Sequence, residues 1–179
     1  MDIRFHAKSI SRKTHRMLRI RIAKQNKNTY NTPITTNINI MDDCVFCKII
    51  KGEIQHDSFI YEDDYSYVFL SSGPVNFGHT LVIPKGHYAN IYEMPDEAMQ
   101  KLAITVRNAS RSVKEATEAH GINIMMNNDR PAGQVVFHAH FHIIPRFQGD
   151  GFKHWESKIA YKKGQAAETA GKIKEKIIK

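Results

Sequence analysis

Nine residues, Val136–Ile144, constrain this chain more than any other part of it. They read Val-Phe-His-Ala-His-Phe-His-Ile-Ile, so that histidine and apolar residues alternate. A period of two is the signature of a β-strand with one buried face. On that reading His138, His140 and His142 project from one face, roughly 7 Å apart per step. Phe137, Ala139, Phe141 and Ile143 then turn the other way, into a core. The apolar face fixes the register, because a one-residue slip would bury all three imidazoles. A solvated strand face is the plain reading of this alternation, but three histidines in one row also suit two chemistries. Neutral imidazoles from a single strand suit a catalytic metal such as zinc, and an unprotonated imidazole is a good nucleophile near neutral pH.

The segments around this stretch predict an antiparallel α+β fold with about five strands, one long helix and shorter helices. Cys44–Lys51 has its apolar residues near helical spacing. Ser58–Glu62 and Tyr65–Leu70 are aromatic and β-branched and read as a hairpin, followed by a Gly/Pro loop over Ser71–Gly78 and a strand over His79–Pro84. Pro95 opens a helix whose stripe is Met99, Leu102, Val106, Ala109, Val113 and Ala116, and Gly121 is expected to end it. Ile122–Met126 is a further strand, Asn127–Gly133 a polar loop, and Lys162–Ile178 a surface helix rich in Ala and Lys. The domain organisation expected is a basic extension over 1–40, a folded body over 41–150 and a C-terminal tail over 151–179.

Charge narrows the function classes. The chain of 179 residues has 26 Lys/Arg and 18 Asp/Glu, a formal net charge of +8. Nine of the basic residues but only Asp2 among the acids lie in residues 1–40, so the remainder holds 17 of each and is neutral. The body therefore offers no basic field to a nucleic acid. The extension is expected to be a disordered tail, with too little apolar surface to offset its ordering entropy; Met17–Ile22 carries a weak helical pattern. The other readings are an Arg-rich transit segment, which would make the protein mitochondrial rather than cytoplasmic, and a translation start at Met41. No stretch of about 18 apolar residues occurs, so no membrane-spanning helix is expected. Two cysteines exclude a disulfide-dense scaffold. Cys44-x-x-Cys47 alone fits a redox pair, half of a metal site or two buried thiols, although the βαβ setting of a thioredoxin-like motif is absent.

His138-Ala139-His140-Phe141-His142-Ile143-Ile144 resembles the signature of the histidine triad nucleotide-binding proteins. Cys44–Ile50, Gly78–Lys85 and Ala132–Phe137 look like the family's other hallmark segments in order, and the resemblance spans about residues 43–150. It is nearest to the Hint-like branch of bacteria and archaea. The resemblance implies a hydrolase or transferase acting on the α-phosphate of a nucleoside phosphoramidate or related nucleotide. It makes His140 the nucleophile, with His138, His142 and His79 completing the catalytic set. It places Phe46, Ile49, Phe69, Ser71, Asn127 and Gln134 around the nucleotide, a purine nucleotide being the expected substrate. It implies a structural zinc on Cys44, Cys47, His87 and His138, and a homodimer joined through the long helix. Two positions depart from the branch pattern. Val135 replaces a serine that helps protonate the leaving group, and Ser71 replaces the acid that binds ribose. His6, His15, His56, His120 and His154 read as surface residues. The alternatives are a dinucleoside polyphosphate hydrolase of the Fhit kind, with which Pro145-Arg146 is compatible, and a nucleotide-binding regulatory protein with incidental catalysis. A nucleic-acid binder acting through the extension is a third.

Overall fold

The computed structural model describes residues 43–153 and 158–177. The extension 1–40 with its Met17–Ile22 pattern, Met41, His6, His15 and His154 lie outside the described residues. The elements are α1 (Val45–Ile50), β1 (Phe59–Glu62), β2 (Ser66–Leu70), β3 (Thr80–Pro84), α2 (Asp96–Ala116), β4 (Gly121–Met125), β5 (Phe141–Arg146) and α3 (Gln165–Lys176). The five strands form one antiparallel sheet in the order β1-β2-β3-β5-β4. This is the α+β architecture that the sequence predicts.

The sheet is covered differently on its two faces. Leu102, Val106 and Val113 of α2 are buried against Val68, Val82, Ala139 and Ile143, with Met99 and Ala109 packed beside them. On the other face α1 contributes Phe46 to a smaller cluster with Phe69, Leu81 and Ile83. The register explains the division. Val68 faces Val82, and Phe69 faces Leu81 on the opposite side of the pleat.

Four expectations are corrected. The last strand begins at Phe141, not Val136, and runs to Arg146. Its ladder with β3 ends at the Val82–Phe141 pair. Beyond it Pro84 has no N–H to give, its carbonyl is taken by the His138 ring (2.9 Å), and the Ala139 N–H donates to the Tyr88 carbonyl (2.6 Å). His138 and His140 thus sit on a segment before β5 that bends over Val136–His138, and both are buried rather than displayed. Phe137 stays out of the α2 core and lies under the Arg130 guanidinium. Finally, α2 stops at Ala116, which is exposed. The Thr117 hydroxyl donates to the Val113 carbonyl (2.7 Å) and Glu118 takes the left-handed conformation (φ 54°), so the chain has already turned when Gly121 opens β4.

Gly78 links the end of α2 to the site. Its φ is 84°, and a Cβ there would come within 2.5 Å of Thr117 Cγ2. Only glycine lets the loop before β3 approach this closely and deliver His79.

Candidate catalytic and metal site

Cys44 precedes α1 and Cys47 lies three residues on, so the two thiols share one face of the first turn. His87 follows β3, and His138 precedes β5. These four side chains bring their ligand atoms within 4.8 Å of one another and could hold a metal ion. Cys44 Sγ lies 3.5 Å from His138 Nδ1, Cys47 Sγ 3.3 Å from His87 Nδ1 and 3.7 Å from His138 Nδ1. A tetrahedral ion at ordinary zinc–sulfur and zinc–nitrogen lengths holds S and N about 3.6 Å apart. The donor set is also chemically suitable. The Pro84 carbonyl can only accept, so His138 Nε2 carries the ring hydrogen and Nδ1 turns its lone pair to the thiols. Burial pushes the His138 pKa down to about 4 and the Cys47 thiol up to about 11. The imidazole is thus already in its ligating form, and a metal must displace the thiol proton.

The same backbone couples this cluster to the next histidine. The His138 carbonyl accepts from His140 Nδ1 at 2.7 Å. That leaves His140 Nε2 unprotonated, and the ring is edge-on to Phe46 at 5.2 Å and to His142 at 4.8 Å. Burial lowers the His140 pKa, opposed by the hydrogen bond to the His138 carbonyl. A second chain fixes its neighbours. The Val75 N–H donates to His79 Nδ1 (3.2 Å), so the neutral His79 carries its hydrogen on Nε2 and donates it to His142 Nδ1 (2.9 Å). His142 must then hold its own hydrogen on Nε2. Burial lowers the pKa of both rings, with His140 beside each, and takes His142 to about 4. The result is one bare ring nitrogen beside a neutral N–H donor: a nucleophile and an electrophile without a net charge.

His140 and His142 open into a cleft of about 460 Å³ under α1. Phe46, Ile49, Phe69 and Asn127 line it, as do Gly133 and Val135. Ser71 is not among its lining residues; its hydroxyl accepts from the Gly73 N–H. Gln134 is buried and turned to the backbone. It accepts from the Asp129 N–H and donates to the Ala89 and Val136 carbonyls, which clamps the loop that carries Asn127 and Gly133. His56 is the residue that sequence reasoning missed. It is half-buried and lines the cleft together with Ser58. Its ring is placed by Tyr67 and Phe69 on the neighbouring strand, which no local pattern records. His120, by contrast, is exposed as expected. A larger cleft of about 560 Å³ lies between β1 and α2. Its one carboxylate, Asp63, is committed to the Tyr65 and Ser66 N–H groups and the Thr105 hydroxyl, so that cleft offers no reactive group.

The HIT domain family model matches residues 51–149. The chain is 46% identical over 112 residues to "Protein hit" of Bacillus subtilis (strain 168), covering 62% of this chain and 77% of that protein. It is 40% identical over 107 residues to adenosine 5'-monophosphoramidase HNT1 of Candida albicans, covering 58% and 70%. Among solved structures, a HIT family member from Bacillus subtilis superposes with a TM-score of 0.71 at 39% identity, over 76% of this chain and 99% of that one. A zinc-bound histidine triad family protein from Mycobacterium smegmatis gives 0.59 at 36% identity, over 63% and 81%.

Proposed function

Because the chain belongs to the HIT family, we propose that it is a nucleotide hydrolase that cleaves nucleoside 5'-phosphoramidates or related nucleotides through a covalent intermediate on His140. The observation that carries this is the pair of fixed tautomers, with His140 Nε2 bare and His142 Nε2 protonated, at one end of an apolar cleft. His140 Nε2 attacks the α-phosphorus as the bond to the leaving group breaks, and that group takes a proton from solvent water in the half-open cleft. Water then attacks the same phosphorus, releases the nucleoside monophosphate and restores the neutral ring. His142 Nε2–H and Asn127 stabilise the phosphoryl oxygens, which gather charge in the transition state. The 40% identical relative is named as an adenosine 5'-monophosphoramidase, which favours the phosphoramidate class.

A zinc ion on Cys44, Cys47, His87 and His138 would serve as a structural pin in this reading. It fastens α1, and with it the Phe46 wall of the cleft, to the segment whose carbonyl orients His140. The dinucleoside polyphosphate alternative gains nothing from Arg146, because that side chain is committed to Asp150 and stacked on Phe152. We also propose a homodimer through α2 and the open edge of β4, where Val106, Ser110, Ile122 and Ile124 border a groove.

Mass spectrometry of the protein quenched during turnover of adenosine 5'-phosphoramidate is expected to show an adenylyl group on His140. His140→Ala is expected to lose the adduct and at least about 10³-fold of kcat. Undiminished adenylate release by that variant would overturn the assignment.

A further inference from the structure

The cleft has a far end that the phosphate chemistry does not use. A row of rings leads away from the nucleophile. His140 meets Phe46 at 5.2 Å, Phe46 meets Phe69 at 5.6 Å, and Phe69 meets His56 at 5.5 Å. The sheet gives the same direction, since His142, Leu81, Phe69 and Phe59 follow one another across β5, β3, β2 and β1. At roughly 4.8 Å per strand, His142 and β1 are about 14 Å apart. The apolar rings fill the middle. The end is polar, because His56 Nδ1 bonds Ser58 Oγ (2.9 Å) and His56 Nε2 bonds the Tyr67 hydroxyl (3.3 Å).

We propose that His56 and Ser58, backed by the Tyr67 hydroxyl, form the wall that reads the base, with Ser58 Oγ meeting the six-position of a purine. This rests on the nucleotide reading given above. A neutral imidazole has one donor and one acceptor nitrogen, and each of its partners here is a hydroxyl that can play either part. With the hydrogen on Nδ1, His56 donates to Ser58, the Tyr67 hydroxyl donates to Nε2, and Ser58 has its own hydrogen to offer a ligand. With the hydrogen on Nε2, Ser58 donates to Nδ1 and offers only lone pairs. Adenine presents an N6 amino donor and guanine an O6 acceptor. One proton shift on His56 therefore lets a single wall accept either base. Burial holds the Tyr67 phenol above its ordinary pKa, so it remains neutral in both arrangements. The wall selects purines that carry a hydrogen-bonding group at the six-position and is indifferent to which one.

The test compares kcat/KM for the 5'-phosphoramidates of adenosine, guanosine and unsubstituted purine riboside. The wild type is expected to use the first two within about threefold of each other and the third about tenfold less well, the scale of one hydrogen bond. Ser58→Ala is expected to shrink that tenfold gap to under about twofold, with the change in KM rather than kcat. His56→Phe keeps a ring against Phe69 but cannot orient Ser58, and is expected to act in the same direction. Equal use of all three by the wild type, or a gap that survives Ser58→Ala, overturns the base wall while leaving the hydrolase reading intact. No turnover of any of the three overturns both.

Discussion

The two faces of the sheet are built on different principles. On one face α2, 21 residues long, lays a continuous stripe onto Val68, Val82, Ala139 and Ile143. Apolar burial supplies most of its hold, at about 25 cal/mol per Å², with one polar tie where Thr105 bonds Ser66 and Asp63. On the other face α1 has only six residues, too few for a stable helix in isolation, and its buried residues are Phe46 and Cys47. That face contains the half-open cleft, so it cannot be sealed by packing without destroying the site. The Cys/His cluster lies at one end of α1, where a metal ion on the proposed reading would fix the helix and leave the cleft open. The proposed site thus lies on the face with the smaller apolar cluster, Phe46, Phe69, Leu81 and Ile83.

Two substitutions break this contrast from either side. Leu102→Ala is expected to cost about 2–5 kcal/mol of global stability in urea unfolding, because Leu102 is fully buried under the middle of α2. Wherever the protein stays folded, its KM is expected to hold. Cys47→Ala is expected to cost less in the global transition but to free α1. Hydrogen exchange of the α1 amides rises towards the unprotected rate, and kcat/KM falls at least about tenfold. Chelator treatment of the wild type is expected to reproduce the second pattern and not the first. An α1 that stays protected after both treatments would show that packing holds this face too.

How far the sequence reveals each face follows the same division. The α2 stripe is legible because helical periodicity is a local property, and Leu102, Val106 and Val113 are buried where the spacing puts them. The histidine alternation is equally plain, but its cause is not. His138 and His140 read as neighbours on a strand, yet a side-chain hydrogen bond to Pro84 and a backbone bond to Tyr88 end the ladder before it reaches them. Those partners lie about fifty residues away, beyond any window of periodicity. His56 is hidden for the same reason. Its ring is placed by Phe69 and Tyr67 on the neighbouring strand, and nothing in residues 54–58 records that pairing.

Acid offers a milder way to separate the faces. His142 faces His79 and His140, and burial lowers its pKa to about 4 from an ordinary 6.5. Between those values the unfolded chain binds a proton there that the folded chain does not. Stability therefore falls as pH drops from about 6.5 towards 4, and the loss is absent above that window. His79 is shifted in the same direction and adds to it. His142→Gln is expected to flatten the slope of urea-midpoint against pH in this window, whereas Leu102→Ala is expected to lower the whole curve without changing its slope.

The smallest effect expected is a gain. Val135 is 86% exposed and lines the cleft. It has no proton to give a departing group, and His142 is neutral well above its pKa of about 4, so water must supply one. Val135→Ser changes no buried surface, and its stability is expected to stay within about 0.5 kcal/mol of wild type. Its value lies in how activity depends on the leaving group. A poor, basic leaving group needs its proton early, and a positioned hydroxyl is expected to raise kcat about three- to tenfold. A good leaving group departs without help and is expected to show no change. A uniform effect across leaving groups would place the added hydroxyl in binding rather than proton transfer, and would leave water as the source of the proton.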